Sequence, residues 1–183
     1  MKKDLLKVIV DKVNACTNCD LHQSRNNTVF SRGSVDSKVV LLGEAPGFHE
    51  DQQGKPFVGR SGKLLDNMVK AMGLEPEEVY VCNICKCRPP DNRKPTSTEM
   101  NSCSEYLKYQ LTIVAPEVIV ALGSTAVEGL LGPGPGITKR RGIWAEWNNI
   151  KVMPTFHPSY CLRNPNKKQE VWEDLQKVME VLQ

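Results

Sequence analysis

LLGEAPGFHEDQQGKPFVG, running from Leu41 to Gly59, is the stretch on which the reading of the whole chain turns. Val39, Val40, Leu41 and Leu42 form a short continuous apolar run, the pattern of a strand buried on both faces in a parallel sheet. Gly43 ends the run. With Pro46 and Gly47 it frames a tight turn where main chain can come close to a flat ligand. The turn brings Glu44, Glu50 and Asp51 to the carboxyl end of the strand, where open α/β sheets place their sites. Phe57, held between Pro56 and Val58, has no strand or helix periodicity of its own and is suited to stack on a planar ring.

Strands and helices alternate on either side of this stretch. Leu5, Leu6, Ile9 and Val13 share a helical face, which predicts a helix to about Asn14 that delivers Cys16 and Cys19 at its end. A loop through Gly33 then leads into the first strand. Leu64, Leu65, Met68, Val69 and Met72 predict a helix stopped by Gly73, and VYVCN (Val79 to Asn83) reads as the next strand. Thr96 and Glu99 form a capping box, opening a helix that carries Met100, Cys103, Leu107, Leu111 and Val114 inward. VIVALG (Val118 to Gly123) is a strand, followed by Ser124 as N-cap of a helix ending at Gly132. GPGPG cannot be regular structure, ITKRRGIWAEW reads as a basic turn between short strands, and Ile150 to Phe156 is a last strand. HPSYCLRNPNKK follows as a loop, and Val171, Leu175, Val178 and Leu182 close the chain as an amphipathic helix. This alternation predicts an α/β fold, a three-layer α/β/α sandwich around a mostly parallel central sheet, built as one domain over residues 1–183.

Composition narrows the function classes. The formal net charge of +3 is too small to prove a nucleic-acid partner by itself, so the placing of the charges counts for more. No apolar run approaches the roughly 20 residues that span a bilayer. The basic start is interrupted at helical spacing by Asp4 and Asp11 and reads as a helix, not a signal peptide. Seven cysteines, an odd number that includes a CxxC, argue against a secreted disulfide framework and for metal or cluster ligation in a reducing cytoplasm.

Cys16 and Cys19 need two further ligands, and Cys82, Cys85, Cys87 and Cys103 are available. A zinc ribbon with Cys82 and Cys85 is one solution. Against it, Cys82 lies inside a strand and reads as a core thiol, whereas Cys87 in a proline-rich loop and Cys103 early in a capped helix can both converge on the amino-terminal pair. Cys85 and Cys161 read as structural. Spacing chooses ligands better than it chooses between zinc and an iron–sulfur cluster.

Three strand ends supply Glu44, Asn83 and His157, as convergence on one pocket requires. An amide at a strand end carries a donor and an acceptor, enough to read the edge of a base. Asp51 is read equally well as a solvated loop residue. Three basic segments, Lys86 to Lys94, Lys139 to Arg141 and Arg163 to Lys168, flank the pocket as a phosphate-tracking rim, and Leu162 is placed to wedge into a duplex.

GEAPG with the following ED, GKPFVG, KCRPPDNRKPT, VIVALG, ITKRRG and HPSYCLRNP together resemble the iron–sulfur uracil-DNA glycosylases of family 4, in that family's order and over nearly the whole chain. The resemblance implies a [4Fe–4S] cluster held by Cys16, Cys19, Cys87 and Cys103. It also implies that Gly43, Glu44 and Ala45 line a uracil site, Phe57 stacks on the base, Asn83 reads its polar edge, and His157 meets a uracil carbonyl oxygen. Glu50 would shape the side that rejects thymine's methyl group. Lys139, Arg140, Arg141, Leu162 and Arg163 would contact DNA. A related branch bonds covalently to DNA through a histidine after the cluster segment; RPPDNRKP has none, so ordinary turnover is expected. The expected enzyme hydrolyses the N-glycosidic bond of uracil in DNA with Glu44 and His157 as catalytic groups, releases free uracil, and works as a cytoplasmic monomer with no membrane partner. Glu44 and Glu50 compete for the water-positioning role. Two other readings remain open: a catalytically silent iron–sulfur or zinc DNA-binding module on the same fold, and a metal-dependent nuclease using Glu44, Glu50 and Asp51.

Overall fold

A computed structural model describes residues 1–183. Its centre is a six-stranded sheet. The strands are β1 (Arg32–Gly33), β2 (Val39–Gly43), β3 (Tyr80–Asn83), β4 (Val118–Leu122), β5 (Ala145–Trp147) and β6 (Ile150–Thr155), in spatial order β1-β3-β2-β4-β6-β5. β3, β2, β4 and β6 run parallel, and the short edge strands β1 and β5 are antiparallel to their neighbours.

Every residue of β2, β3 and β4 is buried, because the parallel strands are covered on both faces. Alternation along each strand divides them between two cores. Val40, Leu42, Tyr80, Cys82, Ile119 and Ala121 pack under α1 (Lys2–Asn14), α4 (Ser97–Val114) and α5 (Ser124–Leu131). Val39, Leu41, Val81, Val118, Val120 and Leu122 pack against α3 (Arg60–Ala71) and α8 (Lys168–Leu182). The three-layer sandwich and the capping box between Thr96 and Glu99 are as the sequence predicts.

Several local expectations are corrected. Leu5, assigned to the inward face of α1, is 52% exposed, while Leu6, Ile9 and Val13 are buried. The polar stretch after Gly47 contains a six-residue helix, α2 (Phe48–Gln53). ITKR forms the single turn α6 (Ile137–Arg140), not a turn between strands. The loop expected after His157 is the helix α7 (Pro158–Arg163), begun by Pro158 at its first position. Gly123, at φ 89°, is the N-cap of α5, one residue before the predicted Ser124. No helix is long and apolar enough to cross a membrane.

The connections place the site. From β2 the chain crosses through α3 on one face to β3, and from β4 it crosses through α5 on the other face to β6. The loops leaving β2 and β4 therefore diverge, opening a crevice at the carboxyl ends of the parallel strands.

Candidate active site

A cleft of about 490 Å³ occupies that crevice. Glu44 to Gly47 enter it from the end of β2, Asn83 from β3, Gly123 to Thr125 from the β4–α5 turn, and His157 from the end of β6. Glu50, Phe57, Pro89, Tyr160 and Arg163 complete its wall.

Phe57 and Asn83 define the floor. Phe57 is 7% exposed and adopts φ 54°, a left-handed conformation uncommon for a residue with a side chain. Two contacts hold it there: Gly62 packs against its main chain so closely that a Cβ would overlap the Phe57 carbonyl, and Glu50 Oε1 accepts from the N–H groups of Val58 at 3.2 Å and Gly59 at 3.4 Å. The Phe57 ring lies 5.6 Å from that of His157 with 27° between planes. Gly43 is glycine for the same economy of space, since a Cβ there would stand 2.6 Å from the tip of the Phe57 ring and would strike Asn83 Oδ1. That oxygen is the one buried side-chain nitrogen or oxygen atom of the protein without a hydrogen-bond partner, although Asn83 is 2% exposed. A buried carbonyl oxygen left unpaired costs roughly 1–3 kcal/mol, so it points to a ligand N–H.

His157 is held as a neutral donor. The main-chain N–H of Ser159 donates to Nδ1 at 3.1 Å and the Ser159 hydroxyl lies 2.7 Å from the same atom, so Nδ1 carries no proton and the hydrogen rides on Nε2. Burial, with the Arg163 cation second, lowers the imidazole to about 4. Sequence reasoning named His157 and missed Ser159. The signal was the HPS tripeptide, whose serine N–H caps back onto the histidine at a helix start.

The carboxylates separate by role. Asp51 is fully buried and accepts from the main-chain N–H groups of Asn26 and Asn27 and from Asn26 Nδ2 at 2.6 Å. It fastens the loop before β1 and is not a solvated residue. Glu50 is engaged by the Phe57 loop, and Glu44 lines the cleft without a side-chain hydrogen bond. No three His, Cys, Asp or Glu side chains stand together as metal donors here, and with Asp51 spent elsewhere the nuclease reading loses its ligand set.

The basic rim is smaller than the sequence suggests. Arg141 is spent on structure: it donates to Asp174 at 2.6 and 3.0 Å, to the Glu170 carbonyl at 2.9 Å, and lies over Phe156. Asp174 is itself fully buried and pushed up by that burial. Arg140 is half-buried and reaches the Gly132 carbonyl at 3.3 Å. Arg93 pairs with Glu99 through two hydrogen bonds, and Lys86 is buried. Lys139 and Arg163 are exposed, Arg163 at the cleft, and Leu162 is half-buried on α7 beside it.

A second cavity gathers sulfur. Cys16, Cys19, Cys85, Cys87 and Cys103 line it, with Arg25, Lys86, Glu99 and Tyr106. Cys82 and Cys161 are fully buried core thiols, as expected. Cys85, read as structural, is buried in the core and also lines this cavity, and its thiol together with the Lys86 cation draws the Cys103 thiol down. Arg25 donates to Cys87 Sγ at 3.2 Å. Burial nonetheless pushes the Cys87 thiol up to about 11 and the Cys19 thiol up as well, and Arg25 offsets that only in part; the thiolate is the form that binds metal. As they stand, the thiols are not drawn to a common point.

The comparisons with known proteins decide the family. Residues 30–176 match the family model described as the uracil DNA glycosylase superfamily. A type-4 uracil-DNA glycosylase of Thermotoga maritima is 44% identical over 180 residues, 96% of this chain and 94% of its own length. The chain belongs to the type-4 uracil-DNA glycosylases. Similar relatives of the same name come from Sulfurisphaera tokodaii, 41% identical over 97% of this chain and 85% of the relative, and Archaeoglobus fulgidus, 39% identical over 94% and 91%. A type-5 uracil-DNA glycosylase from Pyrobaculum aerophilum is more distant, at 31% identity over 69% of this chain. The matches to the type-4 relatives cover nearly the whole chain, whereas the superfamily model begins at residue 30, after Cys16 and Cys19.

Proposed function

We propose that this type-4 uracil-DNA glycosylase hydrolyses the N-glycosidic bond of uracil flipped out of DNA, releasing free uracil and leaving an abasic site. One observation carries the reading of the site: the buried, unpartnered oxygen of Asn83, a residue that lines the cleft with the Phe57 ring and neutral His157. A uracil N3–H satisfies that oxygen, while the amide N–H of the same side chain donates to the adjacent ring carbonyl. The base lies on Phe57, and Glu50, by fixing the Phe57–Gly59 loop, shapes the side where thymine's methyl group would sit.

As the glycosidic bond lengthens, positive charge develops on the sugar and negative charge on the base. His157 Nε2–H and the main-chain N–H groups of the 43–45 turn donate to the base oxygen where that charge collects. Glu44 holds the water that attacks the sugar and faces the cationic centre. Extrusion of the base is cheapest where uracil is mispaired, and this adds to selectivity. Leu162 fills the space left in the duplex, and Arg163, Lys139 and Arg140 contact the phosphates.

Cys16, Cys19, Cys87 and Cys103 hold a [4Fe–4S] cluster. The donor set fits: four cysteines on three separate segments line one cavity, Arg25 donates to Cys87, and the buried Lys86 beside them has no carboxylate partner. When bound, the cluster ties the end of α1, the loop after β3 and α4 together, and hydrolysis needs no electron from it. The enzyme acts inside the cell as a single-domain monomer. The test is a labelled oligonucleotide with one uracil, a thymine control, and chelator present, followed by alkali. Alkali-dependent cleavage only at uracil is expected; DNA binding without cleavage would leave a silent binding module.

A further inference from the structure

Lys86 stands between the thiol cavity and the base site. Its side chain is buried at 1% exposure, a costly position for an ammonium without a counter-charge. Nζ donates to the Asn83 carbonyl at 2.7 Å and to Gln110 Oε1 at 2.6 Å, and faces the Phe30 ring with 5.6 Å to its centroid. All three partners are neutral. The ion pairs of the protein engage other residues throughout. Gln110 cannot turn to offer anything more, since its Nε2 donates to the Phe30 carbonyl at 3.1 Å and to the Tyr80 hydroxyl at 2.8 Å. The missing negative charge lies on the sulfur side. Lys86 lies in the chain between Cys85 and Cys87 and lines the thiol cavity with them and Cys103.

We infer that Lys86 is the charge-compensating residue of the thiolate site and at the same time the positioning residue that clamps the main chain of Asn83. The inference rests on the cluster and base-site readings above. Four thiolates around an iron–sulfur core leave the assembly anionic, and a fixed buried cation beside it offsets that charge as water cannot. One residue then joins the two sites through its own covalent frame, with its main chain between Cys85 and Cys87 at the thiol cavity and its side chain on the Asn83 carbonyl. Filling or emptying the thiol site therefore changes how firmly the base-reading amide is held, and the coupling is reciprocal.

Two variants of the iron-loaded protein test this. Lys86→Met removes charge and donors together, whereas Lys86→Gln removes the charge and keeps an amide donor for the Asn83 carbonyl. Removing a cation disfavours the more negative, reduced cluster, so the midpoint potential measured by dye-mediated titration with electron paramagnetic resonance shifts negative in both. Free-uracil binding, read by calorimetry, weakens about tenfold in K86M and stays within about threefold of wild type in K86Q. A wild-type potential in K86Q overturns the proposal, and so does K86M that binds uracil like wild type. If K86M does not fold, the potential of K86Q decides alone. Wild-type protein that binds no uracil would defeat the base-site reading and leave the potential measurement intact; wild-type protein that takes up no iron would defeat the cluster assignment and this inference with it.

Discussion

Replacing His157 by asparagine should flatten the acid side of the stability curve. In the folded protein the imidazole stays neutral down to about 4, from an ordinary 6.5, because burial disfavours the cation. Between those limits the unfolded chain takes up a proton that the folded chain refuses, so stability falls as pH falls and is regained above 6.5. At pH 5 the unfolded state is favoured by this residue through a factor of about 30, or about 2 kcal/mol, against a few tenths at pH 7. The asparagine side chain in H157N would keep an acceptor for the Ser159 N–H that now reaches Nδ1, and it does not titrate. Denaturant unfolding of wild type and H157N at pH 7, 6 and 5 isolates the term, because contributions common to both proteins, the thiol site included, cancel in the difference. Wild type should lose about 2 kcal/mol more than H157N between pH 7 and 5. Parallel pH profiles would refute the reasoning, since they would mean an imidazole that is solvated or already charged, and with it the loss of the neutral Nε2–H donor.

Gly43→Ala forces a methyl between Asn83 Oδ1 and the Phe57 ring, so excision should fall about a hundredfold or more in single-turnover assays, at a stability cost of about 1–3 kcal/mol. Arg141→Ala strands the buried Asp174 and should lower stability by about 3 kcal/mol or more, while the folded fraction binds abasic-site DNA with unchanged salt dependence; a reduced salt slope would return Arg141 to the DNA-contacting set. Glu44→Gln should reduce kcat by about a hundredfold or more with free-uracil binding intact, whereas Glu50→Gln, by loosening the Phe57 loop, should weaken uracil binding and the discrimination against thymine; the reverse pattern would exchange their roles.

What could be read in the sequence was whatever short-range pattern specifies. The apolar run from Val39 to Leu42 carries both cores in its alternation, and the strand ends advertise Glu44, Asn83 and His157 by placing polar residues where buried runs stop. Helices of four and six residues, α6 and α7, are too short to show a 3.6-residue period, so their segments looked like turn and loop. Partners far apart in sequence were equally invisible. Arg141 lies 33 residues from Asp174, and nothing in a basic tripeptide tells which cation will be buried against a carboxylate. Lys86 sits between two cysteines in a polar, proline-rich segment, and only tertiary packing turns it inward onto Gln110 and the Asn83 carbonyl.

The burial that costs stability below pH 6.5 is also what makes His157 useful. A cationic imidazolium in the cleft would attract any anion, the DNA phosphates among them, in the ground state as strongly as in the transition state. A neutral Nε2–H gains little from an uncharged base oxygen and much more once that oxygen carries charge, so its contribution falls on the step that needs it. Two features fix the neutral form: the Ser159 N–H occupies Nδ1, and the Phe57 ring covers the imidazole on one face. Phe57 is held in turn by its left-handed backbone, by Gly62 and by Glu50. The strained residue under the base and the destabilised histidine beside it are thus one structural unit, and a change that relaxes Phe57 should raise the imidazole toward its ordinary range while it weakens the grip on uracil.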